Sequence, residues 1–484
     1  MTRQAPGASA PADDMSSGPN ARQLHQWHDQ AAHRPRGATP PYPHAADKDT
    51  DPKKLIVTAD ILLPGRGDPI HNAAVVVEGS VFTHVGPVDD ILAELSARFG
   101  PWSDALDSFT KVHVKTLMPG MWDCHVHLMG IHKVTSADIV QSHLSPVLTG
   151  ARSARDVMLL LDAGFTSVRE MGGYGIQLDQ AIAEGSLVGP KIYSANCIIS
   201  QTGGHADAHD MPLDWFHDAV EHGLPCYTAD GVAECVKAVR VQLRAGAKVI
   251  KICGSGGVGS ERDNPVDQQF RDDEIAAIVE EAERAQRVVG AHCHGKKGIM
   301  ASLRNGVKTI EHGSYIDEEA AKLMKEKGAM LVATRLIIED GLRLGKGMFS
   351  PIGYEKLLVT GKAHWKAYQL AIRYGVKCAL GTDTGVSIPG SISQGRNALE
   401  LVYALKAGMD PLSAIEMATA NGPDTLGPQA PKSGQIKTGY DADFIGVDGD
   451  VLSDISILTH TENVKYVWRA GINYKAPGKP VNII

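Results

Sequence analysis

Between Met121 and Leu380 the chain repeats one alternation, a short apolar run followed by a stretch with helical spacing. The runs fall at Met121–Cys124, Thr166–Arg169, Lys191–Ser194, Val249–Ile252, Val288–Cys293, Thr309–Glu311, Met330–Ala333 and Lys377–Leu380. Helical patterns lie between most of them, for example at Val232–Ala245, Asp272–Gln286, Glu318–Lys327 and Gly361–Tyr374. Such alternation builds a parallel sheet with helices outside it. Eight repeats over this length predict an α/β fold, a (β/α)8 TIM barrel, whose usual size is ~250 residues. The segment from Ser200 to Asp230 is too long for a plain connection and reads as a lid near the mouth.

The two chain ends have another texture. Leu55–Val57, Ala73–Val77 and Val81–Val85 are short β-rich runs, with a hairpin turn at Glu78-Gly-Ser80. Phe444–Val447 and Tyr466–Trp468 resemble them. A small β-sandwich from both ends is therefore expected, residues 53–118 plus 434–484 around a barrel of 119–433. Residues 1–52 differ again. Leu24 is their sole Val, Ile or Leu, and eight of the chain's 26 prolines fall there. Such a segment cannot bury enough apolar surface to offset its chain entropy, so a disordered or surface-draped arm is predicted. Its histidines, His25, His28, His33 and His44, read as solvated.

Composition narrows the partners. The net charge is −8 without a basic block, which argues against nucleic acid. No run reaches the roughly 18 apolar residues of a membrane span. Seven cysteines without a C-x-x-C pair suggest reduced thiols, hence an intracellular, cytoplasmic setting. Cys124, Cys253 and Cys293 adjoin or nearly adjoin candidate site residues and read as small packing groups.

Barrel active sites gather at the C-terminal ends of the strands. The first run ends Asp123-Cys-His125-Val-His127, and period-two alternation puts both rings on one face. Lys251 stands in a run of buried β-branched residues, where a lysine is costly unless paired or modified. The fifth run ends with His292 and His294, the sixth with Glu311-His312, the eighth with Asp383. Each alone has an ordinary explanation: a core histidine, a snorkelling lysine, an aspartate capping a turn. Together, five strand ends carry metal-competent groups, and a metal site is the reading. His205, Asp207, His209 and Asp210 lie in the long loop and read as part of the lid, with His205 a candidate substrate contact.

Several phrases resemble a known group. They are Met118-Pro-Gly-Met-Trp-Asp-Cys-His125, Ser200-Gln-Thr-Gly-Gly-His205, Gly246-Ala-Lys-Val-Ile-Lys251, Ala291-His-Cys-His-Gly295, Val332-Ala-Thr-Arg335, Thr419-Ala-Asn421 and the late Gly439–Ile445. From about Lys54 onward the chain resembles the binuclear-metal branch of the amidohydrolase superfamily, and within it the ochratoxinase and Xaa-Pro or carboxypeptidase-type members. That resemblance implies His125 and His127 as ligands of one metal and His292 and His312 as ligands of a second. It implies that Lys251 is carbamylated and bridges the two. Asp383 would complete the first site and act as general acid and base. Zinc is the metal implied, in keeping with imidazole and carboxylate donors. His294 is a candidate for bonding the substrate carbonyl oxygen, and Arg335 for binding a substrate carboxylate through its planar fork. Asp123 has no role implied.

The activity implied is hydrolysis of the amide bond of N-acyl amino acids or dipeptides with a free C-terminal carboxylate, with ochratoxin A within the class. A homo-oligomer is implied as well. Two other readings stand beside it, a mononuclear deaminase or cyclic amidohydrolase, and a non-catalytic barrel scaffold. Lys251 speaks against the first and the complete set of six candidate ligands against the second.

Overall fold

The computed structural model describes residues 54–100, 108–132, 140, 143–345, 349–388 and 392–481. The predicted arm at 1–52 lies outside them.

Seventeen strands form three sheets among the described residues. In chain order they are β1 (Lys54–Leu62), β2 (Ile70–Glu78), β3 (Val81–Pro87), β4 (Thr110–Pro119), β5 (Met121–Ile131), β6 (Phe165–Glu170), β7 (Lys191–Ser194), β8 (Ile198–Ser200) and β9 (Cys226–Thr228). There follow β10 (Ile250–Cys253), β11 (Val289–Cys293), β12 (Thr309–His312), β13 (Met330–Val332), β14 (Thr384–Val386), β15 (Phe444–Val447), β16 (Val464–Arg469) and β17 (Ile472–Lys475).

The first sheet runs β17-β16-β15-β4-β1-β2-β3 and so takes strands from both chain ends. Glu78 pairs with Val81 across the expected hairpin, where Gly79 takes a left-handed φ of 67° that glycine adopts without steric cost. One side of this sheet buries Phe82, Leu117, Phe444 and Trp468. The Phe444 and Trp468 rings stack at 4.5 Å, and Tyr466 lies 5.0 Å from Trp468. Replacing Phe444 by alanine is expected to cost about 3–5 kcal/mol, the usual range for a buried aromatic. Denaturant unfolding checks this, and a change under about 1 kcal/mol would show the stack to be dispensable.

The other two sheets are parallel, with orders β14-β5-β6-β7 and β13-β12-β11-β10-β8-β9. Helices connect the strands, among them Pro146–Asp162, Val232–Ala245, Asp272–Arg284, Lys296–Arg304 and Glu318–Lys327. The architecture is thus α/β with parallel sheets. Backbone bonds also link the sheets' strands to flanking segments: Lys248 N, just before β10, donates to Ser194 O of β7 at 2.8 Å, and Cys124 N of β5 to Leu380 O at 2.7 Å.

Two expectations change. The eighth run, Lys377–Leu380, is no regular strand: it makes one bridge, Leu331 to Cys378, and regular pairing comes later at β14. The turn Gly381–Asp383 follows directly, and its backbone bonds go to His125 O instead of a neighbouring ladder. The segment Ser200–Asp230 is no bare loop either. It holds the helix Leu213–Glu221 and the strand β9, which extends the sheet beyond β8, because Phe216, Leu224 and Cys226 form their own small core. No helix among the described residues is long and apolar enough to cross a membrane.

Candidate active site

Strand β5 is buried almost throughout and delivers His125 and His127 to one place, ring centroids 5.3 Å apart. Asp383 Oδ1 lies 3.1 Å from His127 Nε2 and 3.6 Å from His125 Nε2. These three groups can hold one metal ion. The rings then continue in a chain: His312 lies 5.0 Å from His125, His292 lies 4.6 Å from His312, and His294 lies 4.9 Å from His312. His127, His205, His292, His294, His312 and Asp383 all line a cavity of about 230 Å³.

Each ring has one nitrogen already committed. His127 Nδ1 donates to Gly172 O at 2.8 Å and His292 Nε2 donates to Gly256 O at 3.1 Å. A carbonyl can only accept, so these bonds fix the tautomers and leave the other nitrogen with a lone pair. His125 Nδ1 meets Glu311 Oε2 at 2.8 Å, and His312 Nδ1 meets Thr334 Oγ1 at 2.7 Å. This is the second layer of partners that orients metal-binding imidazoles. Burial, reinforced by the charge of Lys251, pushes His125 down to about 4, and burial likewise lowers His292 and His312. Neutral rings are the form that binds a cation.

Glu311 and Arg169 were not singled out from the sequence. The Arg169 Nη2 donates to both Glu311 oxygens, at 2.8 and 3.0 Å, with both side chains fully buried. Its Nε donates to Cys124 O at 2.7 Å and its Nη1 to Thr309 Oγ1 at 3.0 Å. Burial works to raise the Glu311 carboxyl, but Arg169 and His125 outweigh it and hold it down at about 2. The signal was present: an arginine inside a buried strand and a glutamate beside a ligand candidate each call for a partner. Asp123 also acquires a role. Its carboxylate accepts from His125 N (3.0 Å), Thr382 N (3.2 Å), Thr382 Oγ1 (2.7 Å) and Asn397 Nδ2 (2.7 Å), tying β5 to the turn that carries Asp383.

Three residues around the cavity that are not glycine have a left-handed backbone: His312 (φ 69°), Thr334 (φ 55°) and Asp383 (φ 57°). Such conformations cost of order 1–3 kcal/mol and persist where surrounding bonds over-determine them. Two of the three are candidate ligands.

Lys251 is 2 % exposed on β10. Burial lowers its amine below the usual range, and Glu311 and Asp383 oppose this only in part. At Asp383 burial again acts upward, and His125 and His127 overcome it, holding the carboxyl at about 2. His294 is held through Nδ1 to Ser314 Oγ at 2.7 Å. His205 stacks on His292 with centroids 4.2 Å apart. Arg335 is not brought to the cavity. Its guanidinium bonds Glu339 Oε1 at 2.6 and 2.8 Å and Gly361 O at 2.8 Å, and lies 4.9 Å from the Trp365 ring centre. It opens the helix Arg335–Leu344, so its side chain finds a partner one turn along.

Residues 116–472 match the Amidohydrolase family. Ochratoxinase of Aspergillus niger is 43% identical over 442 residues, 89% of this chain and 88% of that protein. The crystal structure of A. niger ochratoxinase superposes with a TM-score of 0.79 at 42% identity, covering 88% of this chain and 96% of that one. A prolidase complexed with N-methylphosphonate-L-proline matches at TM-score 0.77 and 30% identity, covering 88% of this chain and 100% of the other. With this imidazole and carboxylate array and similarity of this extent, the chain belongs to the amidohydrolase family and is a hydrolase acting on amide bonds.

Proposed function

We propose that the protein is a binuclear zinc amidohydrolase that cleaves N-acyl amino acids or dipeptides with a free C-terminal carboxylate. The two parallel sheets are read as arcs of one (β/α)8 barrel, joined by the bonds through Ser194 and Leu380. The sheet from both chain ends is read as the small sandwich. One observation carries the proposal: the imidazoles of His127, His292 and His312, from three strands, share one cavity, each with a nitrogen already held from behind.

The donor set suits a pair of divalent cations. His125, His127 and Asp383 would hold one, His292 and His312 the other, and a carbamate on Lys251 would join them. Burial lowers the Lys251 amine below its ordinary range and so favours the neutral form, the one able to add to carbon dioxide. A nitrogen–carbon bond forms as one carbon–oxygen π bond of carbon dioxide opens, one proton leaves, and the neutral amine becomes an anionic carbamate. Zinc bound here would ease deprotonation of water and polarise the amide carbonyl. Asp383, ionised at neutral pH, accepts the proton of the attacking water and returns it to the departing amine. His294 stands ready to bond the carbonyl oxygen as charge gathers on it.

The substrate side rests on the family resemblance and on relatives that include a prolidase and a Xaa-Pro dipeptidase. The test is a panel of N-acyl amino acids, dipeptides and ochratoxin A, each with a free or blocked carboxylate, with and without added zinc. The free acids are expected to turn over about 10- to 100-fold faster, the size of a lost charged hydrogen bond. Equal turnover of both forms would overturn the carboxylate requirement. Arg335→Gln belongs in the same panel. Loss of the free-over-blocked preference would make Arg335 a carboxylate contact, and equal loss on both forms would make it a support of the cavity wall.

A further inference from the structure

His205 is held more closely than a lid residue needs to be. Its ring stacks on His292. Gly257 lies so near that a Cβ there would fall 2.0 Å from the ring Cε1 and 2.1 Å from Nδ1, so any larger residue would push the ring aside. The His205 backbone N donates to Gln269 Oε1 at 3.1 Å. Its Nδ1 meets Ser260 Oγ at 2.8 Å. Ser260 Oγ in turn bonds Asp263 Oδ1.

Asp263 is the anchor of this group. Its side chain is 5 % exposed and accepts from Gly257 N at 2.8 Å, Gln269 Nε2 at 3.4 Å and Lys356 Nζ at 3.3 Å. Lys356 also donates to Gly257 O and Ser260 O, at 3.2 and 2.9 Å. It belongs to the helix Pro351–Arg373, whose Leu357, Thr360 and Gly361 line the same cavity as His205. A carboxylate paired with Lys356 is acceptor only, so the single hydroxyl hydrogen of Ser260 points to Asp263. The Ser260 oxygen must then accept from His205 Nδ1–H. That leaves Nε2 with its lone pair on the edge of the ring not held by Ser260.

We propose that Asp263 is a positioning residue for amide hydrolysis: through Ser260 it fixes His205 in the Nδ1–H tautomer and sets Nε2 toward the substrate as a hydrogen-bond acceptor. The proposal rests on the hydrolase reading above and adds to it an orienting chain behind His205, whose ring stacks on the candidate ligand His292. Asp263→Asn reverses the polarity. The amide would donate to Ser260, the hydroxyl would donate to His205 Nδ1, and the proton of the ring would move to Nε2.

The experiment combines Ser260→Ala, Asp263→Asn and His205→Ala, singly and in pairs, with kcat and KM on the best substrate of the panel, zinc content, and nitrogen spectra of 15N-histidine-labelled protein. Ser260→Ala and Asp263→Asn are each expected to lower kcat/KM about tenfold at unchanged zinc content, roughly the loss of one hydrogen bond. In a His205→Ala background neither should lower it further, because residues acting through one group are not additive. The native spectrum should show a His205 signal of the Nδ1–H form, assigned by its absence in His205→Ala and converted by Asp263→Asn. A full second loss in the His205→Ala background, or a native Nε2–H signal, would overturn the proposal. Ser260→Ala keeps the other bonds of Asp263 and serves if Asp263→Asn fails to fold. If the native protein hydrolyses no amide, the functional reading falls instead, and the tautomer signal still upholds or overturns the relay.

Discussion

Lys251→Met is expected to give a folded protein that has lost hydrolysis by on the order of 10⁴-fold, the upper end for removal of one acid–base group. Met approximates the length of the lysine stem without its amine. If Lys251 were only a buried cation, this change would be neutral or stabilising, since replacing an awkward buried charge by an apolar group often is. The proposal therefore separates two readouts. The melting temperature of the metal-free protein should hold or rise, while bound zinc should fall from two per chain to one or fewer. Mass spectrometry of the native protein should find the added mass of a carbamate on Lys251 when carbon dioxide is retained. Two tightly bound zinc ions together with full activity in Lys251→Met would remove the bridging role.

Glu311→Ala is expected to cost about 3–5 kcal/mol of stability, the range for breaking a buried ion pair by removing one partner. The loss is this large because Arg169 stays behind, fully buried and without its bidentate partner. His125 loses its Nδ1 acceptor in the same step. Zinc affinity should fall by about 10- to 100-fold, the usual effect of removing such a support. The acid side carries a further sign. The Glu311 carboxyl sits at about 2 in the fold against 4.5 as its ordinary value. Its contribution is thus complete above about pH 4.5 and is lost as pH falls toward 2. Glu311→Gln should lose less stability than Glu311→Ala and should flatten the acid limb of the stability profile. A variant as stable as the native protein, with unchanged zinc binding, would show that the pair carries neither role.

What the sequence disclosed and what it withheld follow from the range of the interactions. His125 and His127 were legible because a strand puts alternate residues on one face, a purely local rule. The burial of Lys251 on a strand was legible from the apolar run around it. The parallel α/β character was legible in the alternation of runs. The eighth strand was misplaced because its apolar run, Lys377–Leu380, is spent on one bridge, while the pairing residues Thr384–Val386 carry no stronger local signal. Arg335 was assigned from its position just past an apolar run. That position is also the first turn of a helix, and Glu339 four residues on is the partner it takes. The bonds of Asp123 to Thr382 and Asn397, and of Arg169 to Glu311, span well over a hundred residues, and no local pattern announces which distant residue will answer. The left-handed backbone of His312 and Asp383 is likewise set by tertiary contacts.

The sheet built from both chain ends has a consequence for how the protein is made. Strand β4 lies between β1, which precedes it, and β15, where Phe444 pairs with Pro119. A ribosome adding about 5–20 residues per second needs on the order of tens of seconds to cover the roughly 300 residues between them. Throughout that interval one side of β4 shows unpaired backbone groups, an invitation to pair with a neighbouring nascent chain. Yield in a heterologous host should therefore depend on translation speed and chaperone supply over the second half of the message, more than on the stability of the finished fold.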